Sequence, residues 1–293
     1  MTGQAWWRRF LVRGVFWRQF IRFANLHLPP WIEPVVVGFW AAFFLLWRPV
    51  SRGAMRNLKA IKPGSFAVVN FFRCYRTFWN FAWTLCDTGL FRERGTVPDW
   101  EFTGYQHFEK MQESGGAILL TAHMGSYDLG AHLFAERSGH RIVMVRARER
   151  DPETREYEEK RKSEVVEIEF NTKASDLAID LLHAVRDGSI IAVQGDRVAG
   201  DIADIKSTLF GKPARFPAGP FALAMASQAP IYPVFIIRTG RRLYRVVAYP
   251  PIRVAASRDR QAAFTAALDA WRAILEEVIA KWWFSWFLFD EIA

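Results

Sequence analysis

An imidazole and a carboxylate stand five residues apart in His123-Met124-Gly125-Ser126-Tyr127-Asp128, directly after the apolar run Ala117-Ile118-Leu119-Leu120. The run reads as a buried strand and Leu129–Glu136 as a helix, so the histidine falls where a strand hands over to a helix. A side chain at such a junction is fixed by the backbone on both sides yet open to solvent. A carboxylate about one turn further on can accept from one ring nitrogen and leave the other free as a general base. The chemistry of such a pair is deprotonation of a hydroxyl or amine that then attacks an acyl group. A helix-capping histidine beside a solvated aspartate fits the same spacing, and only the surrounding segments choose between the two.

A second constellation follows the apolar strand Ile190–Val193. Gln194-Gly195-Asp196-Arg197 puts charge at a strand end, the usual lining of a ligand crevice in an α/β fold, although a turn held by an Asp–Arg ion pair has the same sequence. Downstream, Phe210-Gly211-Lys212-Pro213-Ala214-Arg215-Phe216-Pro217-Ala218-Gly219-Pro220 reads as a basic, Pro/Gly-rich loop that opens a small-residue helix. Amides at that helix N-terminus, with Lys212 and Arg215 beside them, suit an anion. Neither C-x-x-C nor HExxH occurs, so the sequence implies no metal. Cys74 and Cys86, the two cysteines, read as small buried hydrophobes.

The elements that must position these residues read as α/β from about residue 98 onward. Short apolar strands at Ile142–Val145, Val165–Phe170, Ile190–Val193, Ile231–Ile237 and Tyr244–Ala248 alternate with helical segments, one of them starting at Ser175 and ending near Asp187-Gly188. Thr239-Gly240-Arg241 reads as a hairpin turn, and Asp259–Lys281 as a last helix before Trp282-Trp283-Phe284-Ser285-Trp286-Phe287. The expectation is a mixed central sheet flanked by helices over 98–293, one catalytic unit, preceded over 1–97 by an aromatic helical layer that associates with a membrane.

Composition supports that layer. The chain of 293 residues carries 39 Lys and Arg against 30 acidic residues, with 13 Trp and 25 Phe, many of them near its ends beside Arg. Trp and Arg together favour a membrane interface, whereas no recognition helix or stacking sheet points to nucleic acid. Residues 6–24 read as a basic amphipathic helix lying among headgroups. Val35–Trp47 is too short to span comfortably and reads as a helix dipping into one leaflet, held by Arg48, Arg52, Arg56 and Lys59 at an anionic, cytoplasmic face. The start alternates aromatic and basic residues too regularly for a cleavable signal peptide.

Together these blocks resemble the lysophospholipid acyltransferase superfamily, and within it most closely the late acyltransferases of lipid A biosynthesis. The blocks are His-x-x-x-x-Asp after a strand, an Asp after a later strand, Phe-Gly-Lys-Pro-Ala, and Ala229-Pro230-Ile231-Tyr232-Pro233-Val234-Phe235. The Arg52–Leu58 segment and the Trp-rich C-terminus extend the likeness over most of the chain. The resemblance implies acyl transfer from an acyl thioester of acyl carrier protein or coenzyme A to a lipid hydroxyl, with neither a cofactor nor an acyl-enzyme, at the inner membrane. It makes His123 the base, Asp128 the holder of its tautomer, Asp196 a residue shaping the acceptor site, and Arg146, Arg197, Lys212 and Arg215 ligands for phosphate. The chain departs from the family in having Asp rather than Glu at 128 and in lacking the Asn-Pro that follows the arginine matched by Arg146. Arg155, Lys160, Arg161 or Lys162 stand in for a missing basic block. Both departures concern the acceptor: a lipid A precursor, another glycolipid, a lyso-lipid or a lipoamino acid. A non-catalytic membrane scaffold and a lipid esterase are the competing readings.

Overall fold

The computed structural model describes residues 15–147, 166–171, 175–198 and 202–292. Residues 6–14 of the expected amphipathic helix, and the basic positions 155 and 160–162, lie outside them. Among the described residues four helices come first: α1 (Val15–His27), α2 (Glu33–Leu46), α3 (Arg48–Ile61) and α4 (Ala67–Arg94). Then follow β1 (Asp99–Thr103), α5 (Tyr105–Gln112), β2 (Ala117–Thr121), α6 (Tyr127–Ser138), β3 (Ile142–Ala147), β4 (Glu167–Asn171), α7 (Ser175–Arg186) and β5 (Ile190–Gln194). The chain continues through β6 (Asp204–Leu209), β7 (Lys212–Pro217), α8 (Gly219–Ser227), β8 (Ile231–Gly240), β9 (Leu243–Ala248), α9 (Arg260–Trp282) and a 3-10 turn at Trp283–Ser285.

Seven strands form one sheet in the order β1-β9-β8-β2-β5-β3-β4. The strands from β8 to β4 run parallel, while β9 and β1 run against them, so the sheet is mixed as expected. β2 and β5 are central and carry apolar side chains on both faces, which is why they read as unbroken runs rather than alternating ones. One face packs on α8, α9 and the β6–β7 hairpin around Phe216, Phe235 and Trp271. The other packs on α5 and α6 around Phe108, Leu129 and Phe134.

Two local readings are corrected. The Lys212–Pro217 stretch is not a loop but strand β7, paired antiparallel to β6. Phe210 and Gly211 form its turn, both at positive φ (51° and 72°), and the glycine is what makes that turn accessible. The β8–β9 turn falls one position later than expected, at Arg241-Arg242, with Arg242 left-handed at φ 54°.

The N-terminal helices and the C-terminal tail are interlocked. Asn57 of α3 donates to the carbonyls of Leu288 (3.1 Å) and Asp290 (2.8 Å) and accepts from the Ile292 amide (3.0 Å). The tail crosses α3 so closely that a Cβ at Gly53 would sit 2.1 Å from the Phe289 carbonyl oxygen. The Arg52–Leu58 block is therefore a clamp for the tail, and the tail in turn reaches the site described next.

Candidate active site

His123 lies two residues past the end of β2, and Asp196 two residues past the end of β5. The register Thr121↔Gln194 makes those two positions level on adjacent parallel strands. Their side chains meet: His123 Nδ1 is 2.7 Å from Asp196 Oδ1. The other carboxylate oxygen, Oδ2, accepts from Trp286 Nε1 at 2.8 Å. Burial of Asp196 pushes its carboxyl up. The charge and hydrogen bond of His123, the Arg197 charge and the Trp286 N–H outweigh that and hold it down at about 2. An ionised Asp196 fixes the proton on Nδ1 and leaves a lone pair on Nε2. The His123 side chain is 24% exposed while that of Asp196 is 0%, and Nε2 has no hydrogen-bond partner among the described residues. The imidazole reaches solvent while its carboxylate partner is buried.

The backbone holds this pair from three sides. The tail pairs with the turn that carries His123 through Met124↔Trp286, with Gly125 N–H donating to Ser285 O (3.1 Å) and Phe287 N–H to His123 O (2.8 Å). Gly125 has φ +54°, and a Cβ there would lie 2.2 Å from the Ile236 carbonyl oxygen, so the turn that aims His123 admits only glycine. Helix α4 runs alongside. Its Asn80 donates to Ser285 Oγ (2.9 Å), its Thr88 meets Ser126 Oγ (2.8 Å), and its Arg92 bonds Asp128 Oδ2 (2.5 Å).

Asp128 is not the partner of His123, which corrects the expectation drawn from the motif. It lies in the first turn of α6, where Arg92 and Arg146 bracket its two oxygens. Those two guanidinium groups and the helix N-terminus give it a structural position that the imidazole does not share. The hydrogen-bonding position beside Nδ1 that the motif suggested for Asp128 is occupied by Asp196. Arg146 sits beside the motif, its guanidinium 5.8 Å from the centre of the Tyr127 ring. Arg197 is half-buried and contributes its charge to Asp196. Lys212 and Arg215 are not brought to the dyad: Lys212 is exposed at the hairpin tip, and Arg215 pairs with Asp204 across the hairpin. Ser126 caps α6 by accepting from Leu129 N–H at 3.2 Å. Because Thr88 gives its own proton to Thr84 O, the Ser126 proton points to Thr88, and Ser126 is tied on both sides.

Sequence reading missed Trp286, Asn80 and Arg92. Trp286 lies in an aromatic run, but nothing in the run distinguishes the one indole that reaches a carboxylate. The link predicts a pH effect on stability. With Asp196 held near 2 instead of the model-peptide value of 3.8, its contribution is fully present above about pH 4 and lost as pH falls through about 2. The shift corresponds to about 2 kcal/mol. Acid unfolding of Asp196→Asn, followed by circular dichroism, should show a correspondingly shallower loss between pH 4 and 2.

A solved structure of similar outline is the 1-acyl-sn-glycerophosphate acyltransferase PlsC from Thermotoga maritima, at 14% identity and a TM-score of 0.39 over 86% of this chain and 98% of that one. No curated protein matches the sequence. The family model of the bacterial lipid A biosynthesis acyltransferases matches residues 8–291, and the chain belongs to that family.

Proposed function

We propose that this acyltransferase moves a fatty acyl chain from a thioester of acyl carrier protein or coenzyme A to a hydroxyl of a lipid A precursor or related glycolipid. The observation that carries this reading is the His123–Asp196 pair at 2.7 Å, on a partly exposed imidazole whose Nε2 has no partner among the described residues. Nε2 takes the proton of the acceptor hydroxyl as its oxygen attacks the thioester carbonyl. The imidazolium is stabilised by Asp196 and returns the proton to the sulfur as the C–S bond breaks. One ester forms, one thiol leaves, and His123 ends neutral. Direct transfer is favoured over an acyl-serine because Ser126 is committed to Thr88 and Leu129. The basic surface suits either acidic donor.

The reaction is assigned to the surface of the inner membrane, on its cytoplasmic side. No single helix among the described residues is long and apolar enough to cross a bilayer, and the α2–α3 pair is bent by 85°. Trp31, Phe39 and Phe66 are 74%, 75% and 78% exposed, an arrangement suited to insertion into one leaflet. Burying each such side chain contributes about 1.5–3 kcal/mol. Replacing all three by Ser should lower partitioning onto anionic vesicles by at least about 100-fold in flotation assays, with the dyad intact.

The test of the reaction is purified protein incubated with acyl carrier protein or coenzyme A thioesters and a hexosamine-based lipid acceptor. Thiol release matched by a lipid heavier by one acyl chain supports the proposal. Thiol release with free fatty acid instead establishes the esterase.

A further inference from the structure

A cavity of about 330 Å³ whose walls include neither His123 nor Asp196 opens between the start of α2, the middle of α4, the β8–β9 turn and the tail. Its walls include Arg76, Trp79, Trp83, Arg238, Arg241 and Phe284. This volume falls at the small end of ligand pockets and exceeds what a bare inorganic ion fills. Its composition is unusual: three guanidinium groups stand among three aromatic rings.

The charges are unevenly matched. Arg238 is buried and paired with Asp87 at 3.0 Å, and Arg241 is paired with Glu33 at 2.7 Å. Arg76 pairs with no carboxylate among the described residues; its guanidinium lies 4.2 Å from the centre of the Phe284 ring and 5.5 Å from that of Trp283. Arg238 and Arg241 flank the Trp83 ring at 5.4 and 5.7 Å. Contact with the Phe284 ring holds the Arg76 guanidinium while leaving its N–H edge available, the arrangement that suits phosphate recognition, whereas Arg238 is committed to Asp87 and Asn80. Arg76 rises from a helix and Arg241 from a hairpin, so the two approach from different elements.

We propose that this cavity is a second binding site, taking a phosphate ester of a polyol or sugar, with Arg76 and Arg241 on the phosphate and Trp79 and Trp83 against the polyol face. A phosphate ester supplies the anionic charge that Arg76 lacks, and the aromatic walls account for volume beyond a bare ion. Trp31 and Val35, close in sequence to the wall residue Pro34, are exposed and offer apolar surface to an attached acyl chain. Neither His123 nor Asp196 is among the walls, although the cavity backs onto the segment that carries Trp286: Asn80 lines it and donates to Ser285 Oγ at 2.9 Å. The inference is independent of the acyl-transfer reading.

The test is titration calorimetry on the full-length protein in a polyoxyethylene detergent, with glycerol 3-phosphate, dihexanoyl phosphatidic acid and dihexanoylglycerol as probes. Binding of either phosphorylated probe should weaken at least about tenfold in Arg76→Gln/Arg241→Gln, both exposed positions, while the unfolding midpoint stays within about 2 °C. Comparable affinity for the two phosphorylated probes supports the site with a soluble phosphate ester as its source; much tighter binding of phosphatidic acid supports it with a lipid headgroup. An inactive His123→Ala protein should bind as wild type does, which separates this result from any failure of catalysis. The proposal is overturned by equal binding in the double variant, by dihexanoylglycerol binding as tightly as phosphatidic acid, or by no binding of either phosphate ester to wild type.

Discussion

His123→Ala should lower turnover by about 10³- to 10⁴-fold while leaving KM for donor and lipid within a few-fold. The imidazole combines a ring nitrogen without a partner among the described residues, on a partly exposed side chain, with a buried carboxylate that fixes its tautomer. Removing it deletes proton transfer in the transition state and little of the ground-state contact surface, so the loss belongs in kcat. Steady-state kinetics with a saturating thioester donor makes this measurement. A residual rate within tenfold of wild type would remove His123 from the chemistry.

The second large effect is expected at Asp196→Asn, where geometry predicts more than loss of charge. Trp286 Nε1–H points at Oδ2 and requires an acceptor there. The amide oxygen therefore turns toward Trp286 and its NH₂ toward His123 Nδ1. Nδ1 then becomes the acceptor and the ring proton moves to Nε2, the nitrogen that must be unprotonated to act as base. Turnover should fall by about 10²- to 10⁴-fold, with an unchanged fold. Asp128→Asn, which loosens a clamp made by Arg92 and Arg146, should cost a smaller factor. The reverse ranking would make Asp128 the partner during turnover and the Asp196 contact a resting arrangement.

The contrast between these two aspartates marks what the sequence made legible. The strands were readable because β2 and β5 are buried on both faces and so stand in the sequence as unbroken apolar runs. Spacing along one chain segment names a local partner, so the motif pointed to Asp128, five residues away. The actual contact, 73 residues distant, exists because β2 and β5 are neighbours in register, a fact of sheet order that no local pattern carries. The same reason hid Trp286 and Asn80, whose roles depend on where the tail crosses α3 and α4. Phe210–Pro220 reads as a loop because its prolines and glycines mimic one; the strand Lys212–Pro217 within it shows only in pairing with β6. Lys212 and Arg215 were drawn from that misreading, and the folded hairpin takes them away from the dyad.

The most direct test of the account compares the lipids of a host strain lacking this gene, complemented with wild type or with His123→Ala at equal membrane abundance, by mass spectrometry. The account predicts a lipid heavier by one acyl chain with wild type alone, and its structure names the acceptor. Identical lipids in the two strains would contradict the His123–Asp196 mechanism and leave the membrane-scaffold reading in its place.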